Sequence, residues 1–382
     1  MQEIKNFNET VERIKRAVLG NERIILYSDA DLDGVASLII LEEAIKNLGG
    51  NVACCYFPDR EQEGYGLSEM ALDYLKHLAP GLLILSDCGI GNTKEVAMAN
   101  KLGFEVIIVD HHEILPQIPP ALLIVDPKQE LGETPTKILA ACGLCLKLGE
   151  TLIQELNSKK VLQGFYELAA LGTIADMMPQ ENYNQGIIER GLDAIKQSER
   201  IGIKVFYEFY ERAGITNREL ANKIINVLQL TDFSDHLTES YIFLNSADLG
   251  QAKIFLQKLF EKNQARKQLL ESFEKEIADR TNKDDLFIFD GGQDIPQSLS
   301  GGLASRIFNR FNRPVFVYAG KNGISRGSVR APKGINVVKA MEGCSDFLIT
   351  YGGHPQAAGF SVKNKDLKKF QKCLKKYFRG KN

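Results

Sequence analysis

The sequence predicts an α/β protein whose larger domain is a doubly wound parallel sheet. Short apolar runs alternate with segments of helical periodicity through the first 130 residues, which is the pattern of strands joined by crossover helices. Three of these apolar runs end in aspartates or histidines, at the strand ends where open α/β sheets bind their ligands. A long charged helix then leads to a smaller α/β domain.

The first domain is predicted to cover residues 1–195. Its apolar runs predict strands that begin at residue 24 and span residues 52–56, 81–86, 105–109 and 122–125. Apolar residues at helical spacing predict helices at residues 1–20, 35–48, 68–78 and 93–102. Helices are expected to dominate residues 136–195.

The rest of the chain is predicted to form a helical connector at residues 196–281 and a second domain at residues 282–382. Short helices are expected at residues 197–245, and a long helix with few helix breakers at residues 249–281. The second domain is predicted to contain strands at residues 286–290 and 314–318 and a helix at residues 300–311. It ends in an amphipathic helix with a lysine-rich outer face.

Three alternating aspartates, Asp29, Asp31 and Asp33, follow the first strand and precede Gly34. Carboxylates this close repel one another unless a cation holds them, so a metal site is one hypothesis. A calcium-binding EF-hand loop is excluded, because that loop needs a glutamate at its twelfth position, where Ile40 stands. Three solvated turn aspartates are the alternative, which this segment alone leaves open.

Two further strand ends favour the metal site. Asp87 follows the strand at residues 81–86, and Asp110, His111 and His112 follow the strand at residues 105–109. In a parallel sheet these ends lie along one edge. A single aspartate at a strand end is commonly a helix cap, but three such ends at one edge are harder to explain as caps. Asp176 follows a wholly apolar run, where a buried carboxylate needs a partner, either a metal or a backbone amide.

The chemistry of these side chains favours hydrolysis of a phosphoester. Carboxylates with one or two imidazoles suit Mn²⁺ or Mg²⁺, and no set of thiolates suits zinc. Two such cations can activate water and neutralise charge on a phosphoryl oxygen. No phosphate-binding loop of the Gly-x-x-x-x-Gly-Lys-Ser/Thr type is present, which argues against ATP-driven chemistry.

Charge is unevenly distributed along the 382 residues. The chain has a net charge of −2, yet residues 301–382 hold 17 Lys and Arg against 3 Asp and Glu. A basic block on an acidic remainder predicts a polyanionic partner. No apolar run is long enough to cross a membrane, and no signal-peptide region is apparent. Seven cysteines scattered over the chain suggest reduced thiols and a cytoplasmic location.

The motifs resemble those of the DHH phosphoesterases, whose signature is the sequence Asp110-His111-His112. The aspartate pattern before Gly34, the sequence Asp87-Cys88-Gly89 and the pair Ala175-Asp176 are similar to the other motifs of that family, in order. The sequence Gly352-Gly353-His354 resembles the DHHA1 domain. Segments 58–67, 168–179 and 326–330 resemble the RecJ-type exonuclease branch, and the resemblance spans nearly the whole chain.

The resemblance implies a role for each motif residue. One cation would be held by Asp29 and Asp31, and a second by Asp33, His111 and Asp176, with Asp87 bridging the two. Asp110 would orient the histidine ligand. His112 would touch the scissile phosphate, and His354 would close over it together with Gly352 and Gly353. Arg60, Ser328 and Arg330 would bind the terminal phosphate of the strand, where guanidinium groups suit phosphate oxygens. Arg306 lies in the basic block and is a further candidate for substrate binding.

The implied activity is a metal-dependent exonuclease that acts on single-stranded nucleic acid, DNA favoured, with two divalent cations, Mn²⁺ favoured over Mg²⁺. Repair or replication proteins are expected partners. The alternatives are a phosphoesterase for short oligonucleotides or small nucleotide phosphates, and an inactive replication scaffold. RecJ proteins usually have an arginine where Leu230 stands, and the bacterial enzymes carry an OB-fold after this core. Both departures bear on the direction in which a strand is degraded and on the preferred strand length. The metal ligands show no departure.

Overall fold

The computed structural model describes residues 4–380 except 115, 131, 133, 157, 211–213, 230–231 and 283–284, and it leaves the side chain of His354 undescribed. Leu230 therefore lies outside the described residues. The chain divides into two compact units, Met1–Phe260 and Glu261–Asn382. The boundary between the units falls within the segment that we predict to be a helical connector.

The first unit is built on a parallel five-stranded sheet, which confirms the predicted α/β class. The strands pair in the order β2-β1-β3-β4-β5, so β1, β3 and β4 are neighbours. Their bounds are β1 (Arg23–Ser28), β2 (Asn51–Tyr56), β3 (Gly81–Ser86), β4 (Phe104–Val109) and β5 (Leu123–Val125).

Helices cover both faces of this sheet. Apolar residues alternate between the faces along β1, because successive side chains of a strand point in opposite directions. Ile24 and Leu26 belong to the core on one face, and Ile25 and Tyr27 belong to the core on the other. This two-sided burial explains why the strands read as continuous apolar runs. The helices are α1 (Phe7–Leu19), α2 (Leu32–Asn47), α3 (Glu69–Leu75), α4 (Thr93–Leu102), α5 (Ala141–Leu152), α6 (Lys159–Ala175), α7 (Asn182–Ile195), α8 (Ile201–Tyr210), α9 (Asn217–Leu228), α10 (Glu239–Leu244) and α11 (Leu249–Arg280).

The second unit contains a five-stranded mixed sheet in the order β11-β12-β10-β9-β8. Only β8 and β9 pair in parallel among its described strands, and the other pairs are antiparallel. The elements are β8 (Ile288–Gly292), α12 (Ser300–Phe311), β9 (Val315–Lys321), β10 (Ile324–Arg330), α13 (Val337–Glu342), β11 (Leu348–His354), β12 (Ala357–Lys363) and α14 (Leu367–Arg379). Residues of α11 and α12 pack on one face of the sheet, and residues of α13 and α14 pack on the other.

Two features differ from the sequence prediction. A short hairpin of β6 (Phe233–Ser234) and β7 (Leu237–Thr238) interrupts the segment predicted as short helices alone. Cys344 and Cys373 form a disulfide with an S–S distance of 2.07 Å, so the expectation that all seven cysteines are thiols is wrong for this pair. The other five cysteines are free thiols. None of the described helices is both long and apolar enough to cross a membrane.

Candidate metal centre

The predicted acids and histidines of the first unit lie together at the carboxyl edge of its sheet. Asp29 follows β1, Asp87 follows β3, and Asp110 and His111 follow β4, and these three strands are adjacent. The side chains are largely removed from solvent, since Asp29 is 1% exposed, Asp87 2% and His111 7%. Strand order therefore brings together residues that are more than 80 positions apart in the sequence.

The side chains form two groups that could each hold a metal ion, and a third group, Asp87, His111 and His112, shares one residue with each of them. Asp29, Asp31 and Asp87 offer oxygens within 4.8 Å of one another, and Asp33, His111 and Asp176 form a second such group. The Nε2 atom of His111 lies 3.3 Å from Oδ1 of Asp87, and 3.7 Å from Oδ2 of both Asp33 and Asp176. Asp87 thus lies between the groups, and His112 also offers a ligand atom beside Asp87 and His111.

Mutual repulsion and burial raise the pKa of several of these carboxyl groups. Burial and then the charge of Asp33 raise the pKa of Asp31, and burial with the charges of Asp33 and Asp31 raises that of Asp87 well above its ordinary value. The same causes raise the pKa of Asp176 to about 7. Concentrated negative charge of this kind is stabilised by a cation.

The buried Nε2 atom of His111 also indicates that this side chain is a metal ligand. Nε2 of His111 is buried and has no hydrogen-bond partner among the described residues. Burial lowers the pKa of His111, although the charge of Asp33 opposes the shift, so the neutral imidazole with a free lone pair is favoured. A neutral imidazole among carboxylates fits a divalent cation such as Mn²⁺.

Backbone groups hold Asp31 and Asp33 in place. Asp31 is the N-cap of α2, where its Oδ1 accepts hydrogen bonds from the amides of Asp33 and Gly34. The carboxylate of Asp33 accepts hydrogen bonds from the amides of Ala141 at 3.0 Å and Cys142 at 2.9 Å, in the first turn of α5. The positive end of a helix dipole therefore faces this carboxylate.

Two glycines permit the close packing around these acids. A Cβ atom at Gly34 would lie 2.2 Å from the carbonyl oxygen of Asp29, which is not possible without a shift of the backbone. A Cβ atom at Gly172 would lie 2.7 Å from Sγ of Cys142 and 3.2 Å from Oδ1 of Asp33. Glycine at both positions lets α2 and α6 approach the site.

Asp110 holds the ring of His112. Its Oδ1 accepts a hydrogen bond from Nδ1 of His112 at 2.7 Å, and its Oδ2 accepts one from the amide of Ile90. Burial alone would raise the pKa of Asp110, but the hydrogen bond and charge of His112 hold it at about 2. The motifs predict that Asp110 orients the ligand His111, and this role stays a prediction. The hydrogen bond between the two residues runs from the backbone amide of His111 to Oδ1 of Asp110 at 2.8 Å.

Tyr65 is a site residue for which the sequence predicts no role. Its hydroxyl donates a hydrogen bond to the carbonyl oxygen of Asp87 at 3.0 Å and lies 3.1 Å from Nδ1 and 3.3 Å from Nε2 of His112. The hydroxyl therefore links the imidazole of His112 to the backbone after β3. Tyr65 lies in a glycine-flanked loop, and neither its residue type nor its position relative to a strand end indicated this contact.

Arg60 lies at the first group of acids. Its Nε donates to Oδ1 of Asp29 at 2.8 Å, and a terminal nitrogen donates to Oδ2 of Asp31 at 3.0 Å. The same nitrogen also forms an ion pair with the second carboxylate oxygen of Asp29. Arg60 thus neutralises part of the negative charge, and burial lowers its own pKa.

The other predicted substrate-binding residues lie in the second unit. The Ser328 hydroxyl lies 3.0 Å from that of Ser300, and burial lowers the pKa of the nearby Arg330. Arg306 forms an ion pair with Glu274 at 3.2 Å. Gly352 and Gly353 belong to β11, and the side chain of His354, which ends this strand, lies outside the described residues.

Comparisons with known proteins agree with this arrangement. Residues 23–173 match the DHH family, N-terminal domain, and residues 284–380 match the DHHA1 domain. The chain is 32% identical over 378 residues to the single-stranded-DNA-specific exonuclease RecJ of Bacillus subtilis, and 30% identical over 364 residues to that of Thermus thermophilus. A crystal structure of exonuclease RecJ bound to manganese is 26% identical and superposes with a TM-score of 0.84, covering 99% of this chain and 95% of that one.

The chain is a RecJ-like DHH/DHHA1 protein. The resemblance stated from the motifs is thereby confirmed. This RecJ-like chain spans about half the length of these two curated relatives. The Bacillus alignment covers 96% of this chain and 47% of the relative, and the Thermus alignment covers 94% and 52%.

Proposed function

We propose that this RecJ-like chain is a metal-dependent exonuclease that hydrolyses single-stranded nucleic acid from an end and releases mononucleotides. DNA is the favoured substrate, because the relatives are named as single-stranded-DNA-specific exonucleases. The observation that carries the proposal is the pair of ligand groups, one with Asp29 and Asp31 and the other with Asp33 and Asp176, which meet at Asp87 and His111. A role in DNA repair or replication is part of the same proposal.

The donor set fits two divalent cations. Asp29 and Asp31 would hold one cation, Asp33, His111 and Asp176 would hold the other, and Asp87 would bridge them. Bound cations of this kind supply an activated water and neutralise charge on the phosphoryl group. Mn²⁺ is favoured over Mg²⁺, because an imidazole ligand suits Mn²⁺ better than the harder Mg²⁺, and a similar RecJ structure is bound to manganese.

His112 is the residue proposed to contact the scissile phosphate. Burial lowers its pKa, but the hydrogen bond to Asp110 and the charge of that carboxylate outweigh burial and raise the pKa overall. The ring therefore keeps an N–H that can donate to a phosphoryl oxygen. Asp110 fixes the ring through Nδ1, and the Tyr65 hydroxyl lies within 3.3 Å of both ring nitrogens and limits the rotation of the ring.

The second unit is proposed to bind the end of the strand. Ser328 and Arg330 are two residues apart on β10, so their side chains lie on the same face of the sheet. A hydroxyl and a guanidinium group are donors suited to a terminal phosphate. Arg60 is proposed to contribute to phosphate binding from the first unit, in competition with its ion pairs to Asp29 and Asp31.

The test is a time course with Mn²⁺ on single-stranded DNA and RNA oligonucleotides of several lengths, labelled at one end or the other. Stepwise shortening of long strands is expected, and the label released first gives the direction. Asp87→Ala removes the carboxylate that is proposed to bridge the two cations and is expected to abolish turnover. Asp73→Ala, an exposed aspartate paired only with Lys76 among the described residues, is the matched control.

Two results would contradict the proposal. Wild-type activity of the Asp87→Ala protein would refute the assignment of the metal centre. Disappearance of di- to tetranucleotides alone, with long strands intact, would replace the exonuclease with a phosphoesterase for short oligonucleotides.

A further inference from the structure

A basic cleft in the second unit lies apart from the predicted phosphate-binding residues. It has a volume of ≈ 350 Å³ and lies between β8 and α14, with the end of α11 on its border. Four cations line it: Arg280, Lys372, Lys375 and Arg379. Two acids, Asp285 and Asp290, also line the cleft, so its positive charges outnumber its negative ones.

The cleft borders the face of the sheet opposite to that of Ser328. The Ser328 hydroxyl contacts Ser300 at the start of α12. The neighbouring residue on β10, Val329, points the other way, into the core that contains Phe370 and Leu374 of α14. The basic side chains of α14 are therefore separated from Ser328 and Arg330 by the thickness of the sheet.

Three of the cations are available for an anionic ligand. Arg280 is bound to Asp290 at 3.2 Å. Within the part of the chain that the structure describes, no carboxylate pairs with Lys372, Lys375 or Arg379, and all three are exposed. They extend over roughly 10 Å of the helix axis at ~1.5 Å per residue. This length matches about three nucleotides of a stacked strand at ~3.4 Å each.

The chemistry of the cleft favours phosphates over an extended peptide. A peptide that added to the free edge of β8 would need its backbone amides, but the amide of Gly291 already donates to Oδ1 of Asp290 at 2.7 Å. Phe287 and Ile288 of the lining are buried and Leu286 is 39% exposed, so a peptide would find one well-exposed apolar side chain there. Flexible lysine and arginine side chains along one helix suit a phosphodiester backbone, which needs charge without a fixed register.

We propose that this cleft, formed by α14 and β8, is a second binding surface for the phosphates of single-stranded nucleic acid. It rests on the proposed function for the identity of the ligand. The cleft shares no residue with the metal centre or with the predicted terminal-phosphate residues. It therefore contributes to the affinity for long strands and leaves the hydrolysis of short ones unchanged.

The test compares the full chain with a Lys372→Gln/Lys375→Gln/Arg379→Gln variant. The probe is a fluorescent 30-nucleotide single-stranded DNA, and anisotropy measures its binding at several salt concentrations. We expect about tenfold weaker binding, and a plot of log K against log salt whose slope is less steep by about 2, since each lost phosphate contact contributes ~0.7 for a single strand. A Lys363→Gln/Lys365→Gln/Lys368→Gln variant removes the same charge from exposed positions that do not line the cleft, and it is expected to retain the slope.

Each remaining outcome decides the matter. Equal losses in both variants would overturn the proposal, because they would reflect net charge alone. Unchanged binding by the cleft variant would overturn it as well, and so would cleft-dependent binding of an acidic decapeptide without binding of DNA. Anisotropy requires no turnover, so cleft-dependent DNA binding by a chain that cleaves nothing would support this surface while refuting the exonuclease.

Discussion

Glu167 gives the protein a dependence of stability on pH that a single substitution removes. Its side chain is 1% exposed within α6, and its Oε2 accepts a hydrogen bond from Ser198 at 2.6 Å. Burial raises its pKa from 4.5 to about 7, although Ser198 and the charge of Arg200 oppose the shift. The folded protein therefore holds a proton at Glu167 that the unfolded chain releases at lower pH.

The sign and size of the effect follow from proton linkage. A carboxyl group whose pKa is raised by folding stabilises the folded state below pH 4.5, and this contribution is lost as the pH rises through 7. At ~1.36 kcal/mol per pKa unit the whole contribution is about 3 kcal/mol, most of it lost between pH 5 and pH 8. The glutamine of Glu167→Gln resembles the protonated glutamate and cannot ionise. The stability of this variant therefore does not fall through this group as the pH rises.

Urea unfolding of both proteins, followed by circular dichroism from pH 5 to pH 8, measures the difference. The Glu167→Gln protein is expected to gain about 2–3 kcal/mol relative to wild type across this range. Glu199→Gln is the control, because Glu199 is exposed, pairs with Lys160 and Lys204, and has a pKa below its usual value. A difference between Glu167→Gln and wild type that stays constant with pH would refute the reasoning.

Three further predictions concern the site and the second unit. Tyr65→Phe removes the hydroxyl between Asp87 and the imidazole, so kcat is expected to fall on the order of tenfold with little change in KM, whereas Tyr74→Phe should have no effect. A rise in KM alone for Tyr65→Phe would exclude a positioning role. Arg330→Ala should raise KM for single-stranded DNA more than it lowers kcat, and steady-state kinetics that show the reverse would exclude phosphate binding. Gly353→Ala should cost more than about 1 kcal/mol of stability, because its φ is 127° and a Cβ would lie 2.6 Å from a carbonyl oxygen, while Gly352→Ala meets nothing within 4 Å and should be neutral in thermal melts.

The local pattern of apolar and polar residues was sufficient to predict most of the strands and helices of the first unit. The strand at Gly81–Ser86 and the helix at Thr93–Leu102 have the predicted bounds, because polar or turn-forming residues flank each apolar pattern. The hairpin of β6 and β7 escaped prediction, since its strands have two residues each. Its turn places Asp235 and His236 at positive φ without a glycine to indicate it.

The acids of the metal centre were predictable because strand order alone brings their positions together. Their supporting contacts were not. The hydrogen bonds from α5 to Asp33 join residues 108 and 109 positions apart, and no periodicity encodes them. The contact between Tyr65 and His112 likewise depends on the path of a loop. The disulfide joins residues 29 positions apart, whose proximity requires the packing of α14 on its sheet.

The contact between Asp33 and the first turn of α5 also has a consequence for synthesis. Asp33 is translated more than 100 residues before Ala141 and Cys142, which supply its amide donors. A nascent chain that has released only the five strands of the first sheet holds these carboxylates without their helix, and Asp176 has yet to emerge. Non-local contacts of this kind form late. The ribosome therefore translates the chain at least as far as Asp176 before all the side chains of the candidate metal centre are present.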